Sequence, residues 1–171
     1  MLIDEFLPEY HFSKKHSLTI YSNAEKIFNV LKESNFNSFL IRMLLMLRGI
    51  KLENISLTLS EKSYFILLGE ETDKEILFGI IGKFWKWKGG LFQIKKEEYK
   101  DFSLTGYAKA TWGFSAAPVD PGKTVFSTET RVLCIGDSAR RWFSVYWFCI
   151  EPFSAIIRKI ILYKIKFMAE R

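Results

Sequence analysis

At 171 residues, 49% of them hydrophobic and 26% charged, the chain can bury a core of its own and is far too apolar to be disordered or low in complexity. Its net charge of +6 is unevenly spread. Positions 83–100 and 137–171 are basic, whereas the first ten residues hold Asp4, Glu5 and Glu9 with no base, a bias that favours acidic partners or membrane surfaces. The apolar runs 39–47 and 153–168 are broken by Arg42 and by Arg158, Lys159, Lys164 and Lys166, so neither supplies the ~20 residues of a transmembrane helix. No basic-then-apolar leader opens the chain, and Cys134 and Cys149 form no metal or redox spacing. The sequence thus predicts a reduced, cytoplasmic protein.

Alternation over Phe12 to Ser22 predicts a strand with His16, Leu18 and Ile20 on one face. Ser22 and Glu25 have the spacing of a capping box, opening a helix whose apolar stripe is Ile27, Phe28, Val30 and Leu31. A second short helix is expected from about Ser38 to Arg48, stopped by Gly49, and Thr58 to Glu61 offers another helix start. Strands are predicted at Phe65 to Glu70, Glu75 to Trp85 and Leu91 to Ile94, the second apolar on both faces and hence mid-sheet. A helical excursion over Lys96 to Phe102 follows. Tyr107 to Ala117 and Thr124 to Cys134 then alternate around Pro118–Lys123, a strong hairpin signal.

The last element is the clearest. Gly136, Asp137 and Ser138 offer a cap, and Phe143, Tyr146, Trp147, Ile150, Phe153, Ile157, Ile161, Ile165 and Met168 recur every three or four residues along one face of a helix some thirty residues long. Pro152 lies inside it, where a missing amide predicts a kink.

Strand, two helices, a run of antiparallel strands and a long terminal helix make an α+β order that resembles the START-like, or SRPBCC, superfamily with its helix-grip fold. Gly79 to Trp85, Gly106 to Trp112 and Ser127 to Val132 look like a bacterial branch of that superfamily. The resemblance covers about residues 12–168 and implies a single domain, 1–171. It further implies a curved antiparallel sheet of six or seven strands gripping the last helix, with an apolar cavity between. It transfers a cavity rather than a reaction, since the superfamily has no universal catalytic motif.

Other motifs are dismissed physically. Pro121 to Thr124 copies the tail of a phosphate-binding loop, but a strand follows where a helix should start. The two histidines, His11 and His16, have no acidic ligand at helical spacing, so neither a metal site nor a cofactor is expected.

The leading expectation is a protein that binds a hydrophobic or amphipathic small molecule, a lipid or aromatic metabolite, through His16, Trp112, Thr128, Thr130, Tyr146 and Trp147. Arg131, Arg140 and Arg141 would form an anion-attracting rim. If the apolar parity of 124–134 faces inward, Thr128 and Thr130 are inner hydroxyls and Glu129–Arg131 is an exposed ion pair; a one-residue error inverts this. A plain core histidine and a plain aromatic core are the simpler readings of His16 and Trp112.

Two alternatives stand beside it. One is a cyclase- or hydratase-like enzyme with His16 as acid–base. The other is a basic surface module, in which Trp85, Trp87 and their lysines, with the cations of 158–171, meet a membrane surface or, less favoured, nucleic acid.

Overall fold

In the computed structural model, residues 1–33, 65–86 and 90–171 are described. The expected second helix and the helix start at Thr58 lie outside the described residues, as do Trp87, Lys88 and Gly89. The elements are α1 (Leu2–Phe6), β1 (Phe12–Ile20), α2 (Ala24–Glu33), β2 (Ile66–Glu71), β3 (Glu75–Gly82), β4 (Leu91–Phe92), a 3₁₀ turn (Lys96–Glu98), β5 (Ala108–Asp120), β6 (Lys123–Cys134) and α3 (Asp137–Ala169). The arrangement is the expected α+β one: among the described residues, six antiparallel strands form one sheet and a long C-terminal helix lies across it.

The sheet order is β1-β6-β5-β3-β2, with β4 pairing the far end of β3. The central position of β3 explains why it is apolar on both faces. The β5–β6 hairpin closes on Pro121 and Gly122, tighter than the six-residue turn expected from sequence. Gly122 takes a φ of 72°, which its missing Cβ permits. A register shift at Pro118 to Asp120 absorbs the proline, which has no amide for the ladder.

Local chemistry corrects the sequence reading at two helix starts. α2 is capped by Asn23, whose Oδ1 accepts from the Lys26 amide at 2.8 Å, while the Ser22 carbonyl accepts from Thr124 Oγ1. No side chain caps α3; its N-cap is Gly136, at a φ of 91°. Helix α1, not foreseen, forms because Ile3 and Phe6 reach an apolar cluster with Leu68, Leu77, Ile81 and Tyr99 on the sheet face away from α3.

Two further clusters lie on the α3 side. Phe28, Phe114, Phe126, Leu162 and Ile165 lock the C-terminal half of α3 onto α2 and the sheet. Ile80, Phe84, Ala110, Val132 and Phe143 hold its first turns. The inner stripe of α3 departs from the predicted one. Phe153 and Met168 are exposed, and Ser154 and Arg158 take their places against the sheet. The helix continues through Pro152, which sits on the exposed side.

Candidate functional site

Antiparallel pairing sets residues of neighbouring strands opposite one another on the same face. On the α3 side one row runs Lys14, Thr130, Trp112, Phe78, Leu67 across β1, β6, β5, β3 and β2. The next runs His16, Thr128, Phe114, Ile76. The structure therefore brings four of the sequence-predicted residues, His16, Trp112, Thr128 and Thr130, into one patch. The apolar parity of β6 faces the helix, so Phe126, Thr128, Thr130 and Val132 are all buried on that side.

The patch lies under the middle of α3. Lys14 pairs with Glu151 at 2.8 Å and Lys166 Nζ donates to the Thr19 carbonyl, so the helix tracks β1, with Glu151 to Arg158 above Lys14 and His16. Trp112 Nε1 donates to Thr128 Oγ1 at 2.8 Å, and that hydroxyl donates on to the Gly113 carbonyl at 3.1 Å. Thr128 thus orients the indole first and has little bonding capacity left for anything else. Trp112, Phe78 and Leu67 remain only half-buried, forming an apolar floor beside the helix.

His16 Nε2 is buried with no hydrogen-bond partner. Burial, then the positive charges of Arg158, Lys14 and Lys159, lower its pKa below the usual histidine value against a weaker opposing pull from Glu151. His11 shifts the same way, through burial and Arg140, and its Nδ1 accepts from the Cys134 amide at 3.1 Å. Both imidazoles are therefore held neutral near pH 7. Burial also pushes the Cys134 thiol up to about 12, against a smaller opposing effect of Arg140, so it is no nucleophile near neutrality.

A pH dependence follows. Because the folded pKa of His16 lies below the unfolded one, the native state binds fewer protons than the unfolded chain between those two values. Stability is present in full above about pH 6.5 and is lost as pH falls through the folded pKa. Thermal melts from pH 7.5 down to 5.5 should show a falling Tm, and His16→Gln should reduce that slope, with His11 carrying the remainder; an unchanged slope in the variant would refute the assignment. Asp4, Glu5 and Glu170 titrate below this window, their pKa values lowered chiefly by hydrogen bonds from Arg131, Lys100 and Lys166.

The other predicted residues are dispersed. Tyr146 and Trp147 pack on Phe143, with ring centroids 5.6 and 5.8 Å away, and Trp147 also meets Phe12, so they belong to the cluster at the start of α3. Arg140 and Arg141 line an open cleft of about 710 Å³ with His11 and Phe12. Arg131 does not join them. It lies on the opposite sheet face, buried beneath the N-terminal segment, where it bonds Glu129 at 2.7 Å and Asp4 at 2.8 Å and donates to the Leu7 carbonyl. The expected exposed pair is thus a covered one, because α1, invisible to the strand pattern, lies over it.

Arg158 is the site residue that sequence reading missed. It is 3% exposed on the inner side of α3. In the sequence its charge reads as an interruption of an apolar run; it shares the inward side with Ser154 and Leu162, a side that packing rather than hydrophobicity selects. Phe78 and Leu67 were recoverable from strand parity once the register was known.

Neither a protein-family model nor a curated protein matches this sequence. Among solved structures, the chain is similar to the Zhui aromatase/cyclase from Streptomyces sp. R1128, at 12% identity and a TM-score of 0.33 over 94% of each chain.

Proposed function

We propose that this chain is a START-like protein that holds a hydrophobic or amphipathic small molecule, a lipid or an aromatic metabolite, against the inner sheet face beside α3. The observation that carries this reading is the half-buried row Trp112, Phe78 and Leu67 lying between the two apolar clusters that hold the ends of α3. Apolar side chains in a finished core would be covered; Trp112, Phe78 and Leu67 are only half-buried, on the strand parity that faces α3, which they share with Thr130 and with His16, whose buried Nε2 has no hydrogen-bond partner. An apolar wall with a few placed polar groups is how small-molecule sites are built. A neutral imidazole there can donate to, or accept from, a ligand head group. Burying an aliphatic tail on such a floor contributes about 0.8 kcal/mol per methylene.

Native mass spectrometry before and after solvent extraction tests the reading. The expected result is a co-purifying apolar species, with re-binding of a fluorescent fatty-acid analogue to the stripped protein at least ten times weaker in Thr130→Tyr. Protein that is ligand-free as isolated and takes up no apolar probe would overturn it.

A further inference from the structure

Helix α3 carries a second apolar stripe, on the side away from the sheet. Trp142, Val145, Phe148, Ile156, Tyr163 and Phe167 are each more than half exposed, Phe148 reaching 83%. Spacings built from threes and fours keep them on one side of the helix over about 37 Å. Single exposed apolar residues are ordinary; a continuous stripe of this length marks a contact surface.

The charges beside the stripe are positive, apart from Asp137 at the helix start and Glu170 at its end, the latter bound to Lys166. Arg141, Lys159 and Lys164 are exposed on its flanks, with Arg171 just past its end. Between Ser138 and Ala169 the helix has a single carboxylate, Glu151, which is half-buried and already bound to Lys14. Among the described residues no carboxylate pairs with Arg141, Lys159 or Lys164. Trp, Tyr and Phe with flanking cations are the residues that sit at a lipid headgroup boundary. No helix among the described residues is long and apolar enough to cross a bilayer, so a stripe of this kind lies in the plane of the surface. We infer that the outer face of α3 docks on an anionic lipid surface. A second copy of the chain fits less well, since pairing the stripes would bring the same cations together with no free mid-helix carboxylate to answer them.

The full chain should co-sediment with vesicles of phosphatidylcholine containing about one-third phosphatidylglycerol, and at least tenfold less with phosphatidylcholine alone. Raising the salt should weaken the association. Ile156→Asp and Phe148→Ser, both at exposed positions, should each retain the wild-type Tm and lose at least tenfold in binding. The double variant Lys159→Glu/Lys164→Glu should do the same for anionic vesicles, at about fivefold per cation. Absence of vesicle binding, or binding unchanged in these variants, would overturn the assignment. So would a wild-type dimer by sedimentation that Ile156→Asp converts to monomer, which would give the face to a second copy.

Discussion

Replacing Phe114 by Ala should destabilise the protein by about 3–5 kcal/mol, the largest loss expected from any single truncation at the site. The ring is 1% exposed and stands in a continuous aromatic series. It stacks on Phe126 at 5.9 Å and 12°, tilts against Trp112 at 5.0 Å, and Phe126 in turn meets Phe28 edge-on at 6.0 Å. Removing it leaves a void between α2, β6 and the C-terminal half of α3, and strips one wall from Trp112. Two ring pairs are lost along with the buried area, each worth about 0.5–1.5 kcal/mol beyond it. In a chain of this length the Tm should fall by about 10 °C. Urea unfolding followed by tryptophan emission measures this, and Phe114→Leu should cost under about 1.5 kcal/mol by retaining most of the volume. A loss below about 1 kcal/mol in Phe114→Ala would mean the ring is not packed as described.

Truncating Arg131 to Ala should cost about 3 kcal/mol. Breaking a buried ion pair from one side costs 3–5 kcal/mol because the remaining charge is stranded; the lower end applies here, since Asp4 stays in water and only Glu129 is largely covered. Burial opposes the guanidinium charge, but Glu129 and Asp4 more than compensate and hold its pKa above the usual arginine value. Its guanidinium also lies 4.7 Å from the centre of the Tyr10 ring, so truncation loosens the N-terminal segment as well. The double variant Glu129→Gln/Arg131→Met should recover most of the loss, as it removes the stranded charge together with its partner. Additive losses in that cycle would show that the pair is not coupled, and normal protection of the α1 amides in Arg131→Ala would show that the residue does not hold α1 down.

Both variants bear on how the candidate site was read. The period of two that sets Phe126, Thr128, Thr130 and Val132 on one face of β6 is legible in the sequence, but which face turns toward α3 is not, since Ser127 and Arg131 on the other face are buried as well. His16 was legible on the same ground. Arg131 was not. Its partner Asp4 lies 127 positions away, on a five-residue helix too short for any periodic signal. The split of Tyr146 and Trp147 from Trp112 was equally hidden, because a helical wheel tells which side a residue occupies and not which strand lies beneath it.

α3 shows the division most clearly. Its existence, its length and its amphipathic period are local properties, written in the spacing of apolar residues and in Gly136 before its first turn. Which residues of that period face inward was decided by packing. Apolar residues recur on both sides of the helix, so hydrophobicity alone cannot orient it. Contact with β1, β6 and α2 chose the side that buries Ser154 and Arg158 and leaves Phe153 in solvent. The sequence by itself determined most of the elements and which residues share a face of each strand, since these follow from periods of two and 3.6; α1 and the inward side of β6 were decided by tertiary contacts. The position of α3 across the sheet, the neutral His16 beneath it and the exposed stripe above it depend on contacts between residues far apart in the chain. Those contacts exist only once the sheet has closed.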